Sequence, residues 1–135
     1  YFSFATSNTH LDTLSGHHVP NKDMGLILRP NARAMGKKID YWADSKGTDS
    51  TWFENDGIVN TISMIRPTTG LKGPDPITVY QGKNVFVPGS WHYMGKLTMD
   101  HRSLMGRGKI SDDLRNSILI LLKEHTERLS ALPSF

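Results

Sequence analysis

The sequence contains no cysteine, and this absence excludes disulfide bonds, thiolate metal sites and a cysteine nucleophile. It also lacks any apolar run near the roughly 20 residues that a transmembrane helix needs. The longest such run is Ile118-Leu-Ile-Leu-Leu122, so we predict no transmembrane segment.

The chain has little excess charge of either sign. Lys and Arg number 16 against 13 Asp and Glu, a formal net charge of +3, although the isoelectric point is near 9.3. Basic residues cluster only in Arg29–Lys38, where Gly, Pro and Asn favour a loop. Nucleic-acid binding usually requires a dense basic face, so we predict no nucleic-acid partner.

The 135 residues suit one domain or part of a larger one. Tyr1–Ala5 alternates bulky and small residues and predicts a strand that starts at the first residue, which leads us to expect a truncated chain. Residues 6–51 are irregular, with loop-forming residues every few positions. A non-periodic stretch of that length is usually functional, so we predict a long excursion on the active-site side.

Downstream the patterns are clearer. A helix is predicted from Asp112 to Ala131, because Ser111 can cap it, acidic residues follow, and Pro133 ends it. Its predicted apolar face has three- to four-residue spacing and comprises Leu114, Ile118, Leu121, Leu122, His125 and Leu129. The other predicted elements are a strand or short helix at Ile58–Met64 and strands at Thr78–Tyr80, Asn84–Val87 and Trp91–Thr98.

Two short motifs are candidates for chemistry, Asn55-Asp56-Gly57 and Asp100-His101. Taken singly, an Asp before Gly is typical of a turn, and a lone His after a strand is usually structural. Together they match the order of the last two members of a Ser…Asp…His triad. In such a triad the imidazole moves the serine proton, and the carboxylate orients the imidazole.

The nucleophile of such a triad should lie upstream in a G-x-S-x-G motif, which this sequence does not contain. Gly89-Ser90 lacks the pattern, and Ser15-Gly16 lacks the preceding Gly. Either the motif belongs to an upstream region, or the triad interpretation is wrong.

The pair His17-His18, with Asp12 and Asp23 nearby, suggests a metal site. Zinc needs three or four ligands about 2 Å from the ion, and adjacent His side chains in a loop seldom converge. We therefore predict no metal site there.

The run Trp52-Phe-Glu-Asn-Asp-Gly-Ile-Val-Asn-Thr-Ile-Ser-Met64 closely resembles the segment around the catalytic Asp of bacterial lipases of the staphylococcal and thermophilic-bacillus type. Supporting matches follow the same order, namely Tyr1–Thr6, Gly89–Gly95, Asp100-His101 and the helix from Asp112 to Pro133. The resemblance spans essentially the whole chain but only the C-terminal third of such a lipase.

This resemblance implies an α/β fold, with residues 1–135 as the C-terminal portion of one α/β-hydrolase domain. The elements it implies for this portion are the last core strands of the sheet, a long insertion on the active-site side and a terminal helix. It also implies Asp56 as the acid and His101 as the base of the triad. The nucleophile would lie in the missing N-terminal part, so this chain alone should be inactive. The implied activity is hydrolysis of acylglycerol esters at a lipid–water interface by a secreted enzyme that requires no cofactor for the chemistry.

The chain departs from the family at its structural calcium site. There the resemblance implies a backbone carbonyl, for which Gly25 is a weak candidate, and acidic residues after the catalytic His. Ser103 and Arg107-Gly-Lys109 stand in the acidic positions, and calcium prefers carboxylate and carbonyl oxygens. We therefore predict no metal ligands in this chain, while the family's zinc ligands would lie upstream.

Two other functions remain open at this point. One is a non-catalytic module that binds lipid or a partner on the same scaffold. The other is a short-chain carboxylesterase.

Overall fold

The computed structural model describes residues 1–39, 48–66, 74–80, 87–107 and 112–130, and it is a mixed α/β structure. The elements, in chain order, are β1 (Phe2–Ser7), β2 (Thr9–Asp12), β3 (His17–Pro20), α1 (Arg29–Met35), a one-turn 3₁₀ helix (Ser50–Trp52), α2 (Thr61–Ile65), β4 (Ile77–Val79), β5 (Trp91–Thr98), α3 (His101–Leu104) and α4 (Asp112–Ser130). Within the described ranges, no helix has the length and apolarity to cross a membrane.

The main sheet of the described chain is parallel and has the order β1-β5-β4. β1 and β5 are paired from Phe2↔His92 to Ser7↔Thr98. A bulge interrupts the pairing, and Gly95 of β5 adopts a φ of +107°, which favours glycine. Because parallel neighbours end at the same edge of a sheet, the segments after Ser7 and after Thr98 lie side by side.

Several predicted elements are confirmed. The strands at the start of the chain and at Trp91–Thr98 are present, and the strand predicted at Thr78–Tyr80 occurs at Ile77–Val79. The terminal helix begins at Asp112 as predicted. Most of the strand predicted at Asn84–Val87 falls outside the described residues, as do the predicted cap and stop of the helix, Ser111 and Pro133.

The prediction of irregular chain over residues 6–51 is wrong in part. β2 and β3 form an antiparallel hairpin, and Gly16 in its turn has a φ of +71°. The helix α1 begins with Pro30 in its first turn and buries only Ala32. Most side chains of α1 are exposed and most of those of the hairpin are half-buried, so neither element leaves a strong periodic pattern in the sequence.

The helix α4 packs on the sheet through part of its apolar face. The ring of His125 lies edge-on to Phe2 at 4.7 Å between centroids. Ile118 and Leu122 line a small apolar cavity with Phe4, Leu97 and Leu104. On the predicted face, Leu122 remains 56% exposed and Leu129 49% exposed, so burial of that face is incomplete.

Candidate active site

The turn that holds Asp56 depends on its glycine. The backbone N–H of Asp56 donates to the carbonyl of Val59 at 3.1 Å, which closes the turn. Gly57 has a φ of +94°, and a Cβ atom there would approach the Cβ of Leu28 within 2.9 Å. Gly57 is therefore required both by the positive φ of the turn and by the close packing against Leu28.

The carboxylate of Asp56 is fully buried and has four hydrogen-bond donors. Its Oδ1 accepts the backbone N–H groups of Ile58 at 3.0 Å and Val59 at 2.8 Å. Its Oδ2 accepts the hydroxyl of Thr6 at 2.7 Å and lies 3.0 Å from Nδ1 of His101. A buried carboxylate is costly unless it is hydrogen-bonded, and these donors meet that requirement.

His101 is the first residue of α3, directly after β5, and its side chain is 31% exposed. Its backbone N–H donates to the carbonyl of Asp56 at 3.1 Å, so the main chains are joined as well as the side chains. A carboxylate only accepts hydrogen bonds, so Nδ1 carries the proton and Nε2 is the basic nitrogen. The structure thus brings the two predicted site residues together in the geometry of an orienting acid and a base.

The preceding residue, Asp100, ties α3 to a distant loop. Its Oδ1 accepts the N–H of Ser103 at 2.9 Å and so caps the helix, while its Oδ2 accepts the N–H of Gly25 at 2.8 Å. Burial raises the pKa of Asp100, but the backbone donors outweigh it and hold the pKa below its ordinary value of 3.8.

The loop that contains Gly25 is itself anchored by Arg29. The guanidinium donates from Nε to the carbonyl of Met24 at 2.9 Å and from Nη2 to the carbonyl of Lys22 at 2.5 Å. A path of hydrogen bonds therefore runs from Arg29 through this loop to Asp100 and the helix of His101.

Asp49 and Glu54, the acidic residues nearest to Asp56 in the sequence, have partners elsewhere, as do the serines Ser15 and Ser90. Asp49 caps the 3₁₀ helix, and Glu54 forms an ion pair with Lys96 at 2.6 Å. Ser90 Oγ lies 2.9 Å from Thr78 Oγ1, and Ser15 donates to Asp12. Each of these residues is therefore bonded to a partner other than Asp56 or His101.

The two adjacent histidines of the hairpin make separate contacts. His18 Nδ1 lies 3.2 Å from Thr9 Oγ1, and the ring of His17 packs edge-on against Phe53 at 5.8 Å. Across the described ranges, no group of three or more His, Asp or Glu residues could hold a metal ion.

The surroundings of Gly25 do not fit a calcium ion. The carbonyl of Gly25 already accepts the N–H of Leu28 at 2.9 Å, and the guanidinium of Arg29 is bonded to the carbonyls of Met24 and Lys22 in the same loop. Both oxygens of Asp100 are bound to backbone N–H groups. The guanidinium of Arg29 thus lies where a calcium site would need unoccupied oxygens. Lys109, a basic residue predicted near this site, falls outside the described residues.

Two contacts at the candidate site are not predicted from the sequence. Thr6 stands at the start of the stretch predicted to be irregular, but it lies in β1 and its hydroxyl donates to Asp56. Asp100 was noted only as the neighbour of His101, and it joins α3 to the loop at Gly25. An Asp three residues before Ser103 is a sequence signal for a helix cap, whereas no local signal marks Thr6.

Solved structures of bacterial proteins match this chain, although no protein-family model does. EstA from Clostridium botulinum is 33% identical with a TM-score of 0.66, covering 78% of this chain and 24% of that one. Lipase 1 from Pelosinus fermentans is 29% identical with a TM-score of 0.67, covering 99% of this chain and 33% of that one. Staphylococcus hyicus lipase shares the fold at 19% identity with a TM-score of 0.72, covering 97% of this chain and 32% of that one.

The chain spans about a quarter to a third of the length of these three proteins. The match in fold extends over 78–99% of this chain. The chain is therefore similar to part of the bacterial lipases and esterases, which confirms the resemblance predicted from its sequence.

Proposed function

We propose that this chain is the C-terminal part of an α/β-hydrolase that cleaves carboxylic esters, and that the enzyme is a triacylglycerol lipase. The observation that carries the proposal is the 3.0 Å contact between Asp56 Oδ2 and His101 Nδ1, with the acid buried and the base partly exposed. This arrangement suits the acid and base of a Ser-His-Asp triad.

In the proposed mechanism, Nε2 of His101 accepts the proton of a serine hydroxyl as that oxygen attacks the ester carbonyl. The serine and the oxyanion-hole donors belong to the part of the protein outside this chain. The imidazolium then gives its proton to the departing alcohol, which leaves an acyl-enzyme. Water attacks the acyl group with His101 again as base, and Asp56 stabilises the imidazolium in both halves.

Similarity to lipases from two bacteria supports long-chain acylglycerols as the substrate class. Such substrates aggregate, so the proposed enzyme acts at a lipid–water interface. The same similarity is our reason to propose a secreted enzyme.

The test is hydrolysis by the full-length protein of nitrophenyl esters with short to long acyl chains, and of an emulsified triacylglycerol. We expect His101→Ala to abolish turnover of every ester. His10→Ala is a matched control, because His10 is exposed and bonded to Asn21, and this variant should retain wild-type rates. Turnover that survives His101→Ala would refute the assignment of the base.

The ester series also separates the alternatives. A preference for long acyl chains and activity on the emulsion would support a lipase. A preference for short soluble esters would indicate a carboxylesterase instead. Absence of hydrolysis in a folded full-length protein that still binds lipid would indicate a non-catalytic module.

A further inference from the structure

A cleft of about 800 Å³ opens beside the helix of His101, between α3 and the loop before α1. Arg102 and Ser103 line one side, and Lys22, Leu26, Ile27 and Arg29 line the other. Arg102 directly follows His101 in the chain, so the cleft adjoins the candidate active site.

Positive charge predominates in this cleft. Four basic side chains line it, Lys22, Arg29, Arg102 and Arg107, against two acidic ones, Asp23 and Asp100. Both oxygens of Asp100 are bound to backbone N–H groups. Asp100 keeps its negative charge, but the four basic residues still leave the cleft a formal excess of two positive charges.

Arg102 and Arg107 are the basic groups most available to a ligand. Both are exposed, and within the described ranges neither forms an ion pair. Arg29, by contrast, is held by the carbonyls of Lys22 and Met24. Two guanidinium groups at the mouth of one cleft suit recognition of a phosphate or carboxylate.

The same cleft presents apolar side chains to solvent. Leu26 is 77% exposed and Ile27 is 72% exposed, and they follow one another in the loop. Apolar side chains beside basic ones are typical of surfaces that bind anionic lipid, where the apolar groups enter the acyl layer and the basic groups meet the headgroups.

We propose that this cleft is a docking site for a negatively charged lipid surface, with Arg102 and Arg107 on the headgroup phosphates and Leu26 and Ile27 in the acyl layer. The inference deepens the proposed function, because it names the kind of interface on which the enzyme acts. It also explains why the charge lies next to His101, since docking there brings the active site to the lipid.

The experiment measures binding of the full-length protein to vesicles of phosphatidylcholine alone and of phosphatidylcholine mixed with phosphatidylglycerol. We expect tighter binding to the mixture. The variant R102Q/R107Q should lose about 25-fold in affinity for it, since each basic group near an anionic surface contributes roughly five-fold. R102K/R107K keeps both charges and should bind within about three-fold of wild type, which separates charge from folding.

The matched control is R115Q/K123Q, which removes two positive charges from α4, away from the cleft. Arg115 and Lys123 are both exposed and do not line the cleft, so this variant should bind like wild type. If R102Q/R107Q and R115Q/K123Q lost the same affinity for the mixed vesicles, the net charge of the protein and not the cleft would explain the binding. That result would overturn the proposal. Equal binding to both kinds of vesicle would overturn it too.

A further pair of measurements distinguishes a lipid surface from a soluble anion. L26S/I27S should weaken binding to the mixed vesicles, and inorganic phosphate should compete poorly. If L26S/I27S bound the mixed vesicles as tightly as wild type and phosphate competed strongly, the cleft would be a site for a soluble anion. The proposal of a lipid surface would then be refuted. Because His101→Ala should bind vesicles like wild type while losing hydrolysis, failure of docking and failure of the proposed reaction are separable.

Discussion

The hydroxyl of Thr6 donates to Oδ2 of Asp56 at 2.7 Å, the same oxygen that lies 3.0 Å from Nδ1 of His101. Thr6 is fully buried near the end of β1, and its own carbonyl accepts the hydroxyl of Thr61 at 2.8 Å. The strand therefore fixes the rotation of the carboxylate toward the imidazole.

Replacing Thr6 by Val should impair catalysis more than binding. The change keeps the shape but removes a hydrogen bond to a charged group, which contributes about 1.5–3 kcal/mol. We expect kcat of the full-length enzyme to fall about ten-fold or more with KM nearly unchanged. Steady-state kinetics with one ester measures both constants.

Thr6→Ser is the control, because it keeps the hydroxyl and loses only a methyl group. It should restore most of kcat. If Ser were as damaging as Val, the methyl group and not the hydrogen bond would be the important feature of Thr6.

Asp56→Asn should keep the fold and reduce kcat by a factor on the order of 10⁴, because an amide can present N–H to the ring and favour the wrong tautomer. Circular dichroism checks the fold, and ester turnover checks the rate. Glu54→Gln is the matched control, since Glu54 is paired with Lys96, and it should remain close to wild type. Retention of more than about a tenth of the activity in Asp56→Asn would point to another carboxylate.

The predictable part of this molecule is the part with local signals. The pattern of Trp91–Thr98 and the acidic start of α4 each lie within one element, and both elements occur as predicted. The hairpin of β2 and β3 depends instead on pairs such as His10↔Val19, and its mostly half-buried residues show no alternation of apolar and polar side chains. Its stability comes from hydrogen bonds between the two strands and from packing against residues distant in the chain. Neither can be predicted from the residues of one strand alone.

The candidate site shows the same division. Asp56 and His101 are predicted from their order in the chain and from the resemblance of the surrounding residues to those of known lipases. Thr6 and Gly25 reach the site only through folding, across separations of 50 residues to Asp56 and 75 residues to Asp100. Such contacts follow from strand order and loop course, which one sequence does not specify.

Asp100 should make stability depend on pH in the acid range. Its pKa is lowered in the folded state from an ordinary value of 3.8. The carboxylate therefore stabilises the fold above that ordinary value, and the contribution is lost as pH falls toward the folded-state pKa. We expect Tm of wild type to fall more steeply than that of Asp100→Asn between about pH 5 and pH 2.5.

Glu127→Gln is the control for this measurement, because Glu127 is exposed on α4 at 3.9 Å from Lys123 and such surface pairs contribute little to stability, so its profile should follow wild type. If Asp100→Asn and wild type had parallel profiles, the capping carboxylate would not be the group that loses stability on protonation.

The last prediction is that the full-length protein gains no stability from calcium at the loop around Gly25. Arg29 donates to the carbonyls of Lys22 and Met24, and the carbonyl of Gly25 accepts the N–H of Leu28. A calcium ion would have to displace these donors beside a positive guanidinium, and Ser103 adds no charge. We therefore expect Tm to be unchanged on titration with millimolar calcium or a chelator, because a ligand stabilises only in proportion to its occupancy of the folded state.

Arg29→Met tests the physical reason for that result. Loss of the guanidinium frees the two carbonyls and should lower Tm by a few degrees, because the loop that holds Asp100 is no longer anchored. Ser103→Ala should leave the calcium response flat. A rise of several degrees with calcium in wild type, retained in Ser103→Ala, would mean that other oxygens bind the ion. The guanidinium would then not be what keeps calcium out of this loop.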